Sequence, residues 1–256
     1  MWNSITITNN QIKNEDIKKI IDGKNSAIIR KKFLKKEDCK KIIRKISSMN
    51  IERDSNKFNH IGPFLMNYTT KKEKYFQNAE KANQVFKKIF SNVENPVNKI
   101  KTTISKIFPD YKISGIRENQ RNYALCTIRR HENGKSIPLH KDNVSYEGVE
   151  YEVSKINTQL SCILHLQETE KGGNLSIYNK RWKKKLEKYR EIEFGYNSNI
   201  KKKSLSDTIE TKLGDLVIIN PNYLHEVKEI QGISDRVTLG MFFGIENKTK
   251  KIFFWA

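Results

Sequence analysis

The chain has 256 residues, 49 basic against 29 acidic, for a formal net charge of +20, and 36% of its residues are hydrophobic. No apolar run approaches the ~20 residues that a bilayer crossing needs, and the opening MWNSITITNNQIKN has no basic start, apolar middle and small-residue cleavage site of a secretion signal. Three cysteines (Cys39, Cys126, Cys162) without metal-ligand spacing suit a reducing interior, so a cytoplasmic location is expected. The positive charge invites a nucleic-acid reading. It rests, however, on 39 lysines against ten arginines, scattered over the whole chain. A solvated surface is the expectation, with neither a nucleic acid nor a membrane as partner.

Residues 11–22 read as a short helix, followed by an extended segment from Asn25 to Phe33. Leu34 to Met49 places Leu34, Cys39, Ile42, Ile43 and Ile46 at helical spacing, which gives one buried stripe under a lysine-covered face. Residues 50–70 read as a loop around Gly62-Pro63, with His60 alone in it and not a ligand. Lys71–Ser91 and Asn95–Phe108 predict two more helices, the second with Pro96 in its first turn, where proline is tolerated. Their aromatic residues are expected to pack in a core.

From about Ile113 the texture changes to strands. Asn122–Arg130 and Asn157–Gln167 alternate, Gly172-Gly173 turns into Asn174–Tyr178, and residues 180–204 are charged, part helix and part loop. Strands resume at Thr208–Lys212, Asp215–Asn220, Glu226–Ile230 and Arg236–Ile245. Short strands broken by Gly, Pro and Asn turns predict an antiparallel sandwich or barrel. No linker or repeat divides the chain. One domain over residues 1–256 is expected, with a helical support (1–112) leaning on a β-core (113–256).

His140 and Asp142 stand two apart on the extended stretch Ile137–Asn143, so both side chains leave the same face and can grip one cation. With His225 downstream they form the ligand set of a 2-His-1-carboxylate facial triad, which leaves positions open on a non-heme Fe(II). Lys141, between them, is expected to face the other way into solvent.

The order HKDN, TQLSCILHLQETEKGGNLSIY, KLGDLVIINPNYLHEV and DRVTLGMFFG resembles the Fe(II)/2-oxoglutarate-dependent oxygenases, in the branch that includes the prolyl 4-hydroxylases, over roughly residues 120–245. The resemblance implies an α+β fold whose core is a double-stranded β-helix (jelly-roll). It also implies iron on His140, Asp142 and His225, with 2-oxoglutarate and O2 as cosubstrates. Arg236, eleven residues past His225, matches the family's basic residue, and its planar fork suits the distal carboxylate of 2-oxoglutarate. His165 falls where the hydroxylase branch has a tyrosine on that carboxylate, and Thr238 shares the face of Arg236. The implied chemistry decarboxylates 2-oxoglutarate to succinate and oxidises an unactivated C–H bond.

Arg130 stands where prolyl hydroxylases tend to have tyrosine, which argues against a peptidyl-proline substrate and for one carrying a negative group. Arg130, Asn143, Trp182 and Trp255 are taken as candidate substrate contacts, and His131, before a Glu-Asn-Gly turn, is set aside. A small free molecule, an amino acid or its derivative, is the first expectation, and a peptidyl substrate the second. The ending RVTLGMFFG…FFW and YNKRW also look like the carrier-independent iron halogenases and their hydroxylase relatives. In those halogenases Gly or Ala replaces the aspartate to free a position for chloride, so Asp142 argues for hydroxylation. Repair of alkylated bases in the AlkB manner would ask for a second arginine where Phe242 stands. A non-catalytic jelly-roll binding protein is disfavoured because all four key residues are present.

Overall fold

The computed structural model describes residues 2–48, 59–192 and 194–256. The first part of the loop expected over residues 50–70 (residues 50–58) lies outside the described residues, as does Met49 at the end of its expected helix. The helices follow the apolar periodicity: α1 Asn14–Ile21, α2 Lys36–Ser47, α3 Lys72–Ile89 and α4 Pro96–Ile107. The Asn95 carboxamide caps α4 by accepting from the Asn98 amide at 3.1 Å, with Pro96 at the first helical position, where its missing N–H costs nothing.

Two large sheets carry most of the rest, beside two small two-stranded pairs. The larger runs Ile5–Ile7, Ala27–Arg30, Leu216–Ile219, Thr158–Gln167, Arg236–Glu246, Lys251–Trp255 and Lys112–Gly115. The first half of Arg236–Glu246 also pairs with Thr127–His131, whose outer edge takes Asn59–Ile61. Pairing is antiparallel apart from the two edge pairs at the ends of this order. The smaller sheet is fully antiparallel: Ser206–Ile209, Leu175–Arg181, Tyr223–Val227 and Ile137–His140. Facing sheets of this kind are the double-stranded β-helix that the motif order implies.

Both faces of the larger sheet are buried, and they differ in chemistry. On Thr158–Gln167, Leu160, Cys162, Leu164 and Leu166 share one core cluster with Cys39, Ile42 and Ile46 of α2 and Ile100 and Ile104 of α4. The alternate residues Gln159, Ser161 and His165 are buried but polar and look toward the smaller sheet. Arg236–Glu246 follows the same rule: Val237, Leu239, Met241 and Phe243 meet the helices, while Arg236 and Thr238 look inward. One end of the space between the sheets is closed by Ala27, Ile29, Val217 and Ile219 against Leu175, Ile177, Tyr223 and Val227. Toward the other end this inner face is polar. The helices therefore shield the sheet's back, and its front is left to chemistry.

Most strand ends moved by a few residues from the expectation; the strand expected over Asn122–Arg130 begins only at Thr127, and His225 lies within Tyr223–Val227 rather than just before a strand. The edge strands Ile5–Ile7 and Lys251–Trp255 were not foreseen. Phe243, fully buried between the sheet and the helices, sits where truncation leaves a cavity. Phe243→Ala should cost about 3–5 kcal/mol of unfolding free energy in denaturant titration.

Candidate metal centre and the cavities around it

His140 ends the strand Ile137–His140, and its direct partner in the ladder is His225. That register brings the two imidazoles to 4.1 Å between ring centroids. Asp142 lies just past the strand, its amide donating to the Pro221 carbonyl at 2.9 Å, which ties it to the turn leading into the His225 strand. Its Oδ2 comes within 3.7 Å of His225 Nε2. One ligand atom from each of His140, Asp142 and His225 lies within 4.8 Å of the others.

The donor set fits a divalent metal. Each histidine Nδ1 is 2.8 Å from a backbone carbonyl two residues earlier, that of Pro138 for His140 and of Tyr223 for His225. A carbonyl can only accept, so Nδ1 carries the proton and Nε2 presents its lone pair. Burial, then the neighbouring positive charge of Arg129, lowers His140 to about 4, and burial with the His140 ring beside it lowers His225 to about 4. Both rings are therefore neutral at physiological pH, as a metal requires. Burial raises Asp142, so its carboxylate asks for a cation.

Two spaces that share His140 and Asp142 in their walls lie at this centre. A small inner one of about 40 Å³ is lined by His140, Asp142, His225, Arg236 and Thr238, with Ser161, Ile163 and Gly240 at its floor. Arg236 is buried, and its Nε has no hydrogen-bond partner among the described residues. Burial, reinforced by the charge of Arg129, lowers it to about 10, so it remains a cation that wants an anion. The glycine pair makes room for it. Gly172 and Gly173 both take positive φ, +74° and +67°; a Cβ on Gly172 would lie 1.9 Å from the Glu229 carbonyl, and one on Gly173 3.1 Å from Arg236 Cδ. An inner space with an unsatisfied guanidinium at one end and three metal-ligating groups at the other fits a dicarboxylate that chelates the metal.

The outer space, about 660 Å³, lies between residues 60–71 on one side and Lys141–Glu147 with 187–194 on the other. That volume suits a small molecule. Arg129 lines both spaces.

Several expectations need correction. Arg130 does not face the cavity: alternation along Thr127–His131 sends Thr127, Arg129 and His131 inward and turns Arg130 to pair with Asp235 at 2.5 Å. Asn143 caps the short helix Val144–Glu147, accepting from the Tyr146 amide at 3.1 Å. Trp255 is fully buried and stacks on Phe242. Trp182 stands one layer behind the wall, its indole donating to Glu187 at 2.6 Å and its ring against Tyr146. His165, opposite Thr238 in the ladder, keeps its Nδ1 3.1 Å from the Thr211 hydroxyl and is absent from the lining of both spaces, whereas Thr238 lines the inner one. His131, set aside as a turn residue, is buried and lines the outer space, as does His60.

Lys141 is the largest departure. Its side chain is fully buried and ion-paired to Glu147, and its ammonium lies 4.9 Å from the Trp182 ring centre and 5.2 Å from that of Tyr146. The segment from Trp182 to Ile200 folds over the smaller sheet and covers it. Arg190 joins Glu147 at 2.9 Å and Glu187 at 2.7 Å, the Tyr196 amide donates to the Leu139 carbonyl at 2.8 Å, and Phe194 sets its edge on His140. A charged stretch after a strand signalled part helix and part loop, and gave no sign that it returns over the sheet.

The family model described as "Carrier-protein-independent halogenase WelO5" matches residues 1–256. The chain belongs to that family, within the Fe(II)/2-oxoglutarate oxygenase superfamily. The match falls on the halogenase side of the resemblance drawn from the sequence, not on its prolyl-hydroxylase side. A curated relative, leucinostatins biosynthesis cluster protein S of Purpureocillium lilacinum, is 27% identical over 181 residues, 68% of this chain and 73% of that protein. Among solved structures, the N-substituted L-amino acid dioxygenase of Burkholderia ambifaria AMMD superposes with a TM-score of 0.60 at 17% identity, covering 94% of this chain and 90% of its own. Its complex with alpha-KG gives 0.61 at 16% identity, covering 93% and 90%. At these identities the likeness to the dioxygenase concerns the fold. Among the described residues no helix is long and apolar enough to cross a membrane.

His140→Ala and His225→Ala should each weaken Mn(II) binding, measured by calorimetry, by more than the roughly 10–100-fold typical of losing an outer partner of a metal ligand. Thermal stability should change far less.

Proposed function

We propose that this chain is an Fe(II)/2-oxoglutarate-dependent dioxygenase that hydroxylates an unactivated C–H bond of a small molecule, an amino acid or a derivative of one. Residues 1–256 act in this reading as one catalytic unit, with the helical first 112 residues as support. His140, Asp142 and His225 hold the iron, and Arg236 with Thr238 receives the distal carboxylate of 2-oxoglutarate. When iron and the keto acid are bound, such a centre couples oxidative decarboxylation to C–H oxidation. The protein's own part is to keep both imidazoles neutral by burial, to fix their tautomer through the carbonyls of Pro138 and Tyr223, and to aim the keto acid with Arg236.

The observation that carries hydroxylation is Asp142, whose carboxylate lies in the triad at 3.7 Å from His225. On this reading Asp142 takes the position that halogenases leave to chloride. Support for a small-molecule substrate comes from the size of the outer cavity, from the family, and from the named activity of the Burkholderia dioxygenase. His165 is a weaker cosubstrate candidate than Thr238, because Thr211 already engages its ring.

The family name itself favours a second reading, halogenation. One assay separates the two: protein, Fe(II), ascorbate, O2, 2-oxoglutarate, chloride and an amino-acid and metabolite pool, followed by mass spectrometry. Succinate should form, with a product heavier by one oxygen, and both should vanish in His140→Ala. A chlorinated major product would sink the hydroxylase reading. Arg236→Gln should raise the 2-oxoglutarate concentration for half-maximal turnover at least about 30-fold, the scale of losing one partner of a buried charge pair.

A further inference from the structure

The inner and outer spaces meet at Arg129, and its charge has no counterpart. Arg129 looks inward from Thr127–His131, opposite Thr238 in the ladder. Its guanidinium lies 4.6 Å from the centre of the Phe64 ring, within cation–π range. Among the described residues no hydrogen bond or ion pair engages it. The nearest carboxylate it senses is that of Asp142. Burial presses its pKa down, yet an arginine keeps its proton at any physiological pH.

Every charge in the wall behind it is matched. Lys141 pairs with Glu147, and Arg190 with Glu147 and Glu187. Glu187 also accepts from Trp182 and Tyr196. At the mouth Lys71 is exposed to water. Buried charges are retained in proteins when paired, so the site of Arg129 asks for an anion that the chain does not supply. On the cofactor reading above, iron with Asp142 and a doubly charged keto acid carries one negative charge. Arg236 cancels it. The charge of Arg129 is then left over, at the junction with the substrate cavity.

We propose, resting on that reading, that Arg129 is the specificity residue of the outer cavity and that the substrate is a small organic anion. Its carboxylate or equivalent group pairs with Arg129, and its apolar body lies against Phe64, Met66, Ile137 and Phe194. A molecule that presents only an ammonium finds no free carboxylate in this wall, because Glu147 and Glu187 are saturated. Among amino-acid derivatives, those with a blocked amine and a free acid fit best.

The test uses the full chain loaded anaerobically with Fe(II) and 2-oxoglutarate. Three matched probe pairs are titrated by calorimetry: N-acetyl-L-leucine and its carboxamide, phenylacetate and phenylacetamide, hexanoate and hexanamide. In the wild type at least one acid should bind about tenfold or more tighter than its amide, the discrimination expected of one charge-assisted pair in a partly wet site. Arg129→Gln should bring that ratio to near unity without weakening the amide, and Arg129→Lys should restore part of it. Affinity for 2-oxoglutarate, followed by its visible charge-transfer band with Fe(II), should be unchanged in both variants. The proposal is overturned if no acid is preferred, including the case where no probe binds, or if the preference survives Arg129→Gln. A loss of 2-oxoglutarate affinity in Arg129→Gln would give this residue to the cosubstrate and also overturn it. Failure of the cofactor reading shows itself earlier and separately, as absence of the charge-transfer band in the iron-loaded wild type.

Discussion

Everything in the centre depends on one register, His225 opposite His140 in an antiparallel pair. Two imidazoles 4.1 Å apart, both buried, would repel if protonated, and burial makes that state costly in any case. The backbone carbonyls of Pro138 and Tyr223 fix the remaining choice, since each can hold only a protonated Nδ1. The Nε2 atoms are thus committed to a Lewis acid before one arrives. A slip of one residue in either strand would send its histidine to the opposite face. The inter-sheet cluster of Leu175, Ile177, Val217 and Val227 opposes such a slip, so ordinary packing guards the metal geometry.

The two sheets divide the work by charge. The smaller one contributes the ligands. The larger one contributes cations on its inner face, with Arg236 and Arg129 in neighbouring strands, close enough that Arg129 lowers the pKa of Arg236. Placing two guanidiniums together in a buried space is unfavourable unless anions are expected there. Asp142 alone cannot answer both. The protein fold is therefore incomplete in charge, and its electrostatics describe what it binds better than its shape does.

Much of this was legible in the sequence, for identifiable reasons. A His-x-Asp on an extended stretch fixes a shared face by geometry alone, and Arg236 stands at a countable distance from His225. The helices announced themselves because α2 and α4 each bury one stripe. What failed was phase. In Thr127–His131 neighbouring Arg129 and Arg130 look alike in one dimension, and both faces of the strand are covered, so alternation could not say which arginine points inward. Lys141 was misread as solvated because nothing local reveals that residues 182–200 return to cover it. Trp182 and Trp255 were attractive as single aromatics, and both are packing residues one layer away from the cavity. Contacts of long sequence separation placed them, and those leave no local pattern.

The burial of Lys141 bears on how the site is held. Replacing a buried ion pair by apolar groups is often neutral or stabilising, so the Lys141–Glu147–Arg190–Glu187 chain is weak as a source of stability. Its value is positional. Lys141 lies between two metal-binding residues and cannot move without them, and Glu147 and Arg190 belong to the wall of the outer cavity. Charge-assisted bonds are directional where apolar contacts are not. The network therefore sets the distance from the cavity wall to the metal centre, and a greasy replacement could keep the fold while letting that distance drift. Because the same carboxylates are consumed in holding the wall, they are withdrawn from substrate recognition. The cavity then meets its ligand with Arg129 uncompensated at its inner end, Lys71 at its mouth, and Phe64, Met66, Ile137 and Phe194 among polar lining residues, which is a narrower chemical description than its volume alone would permit.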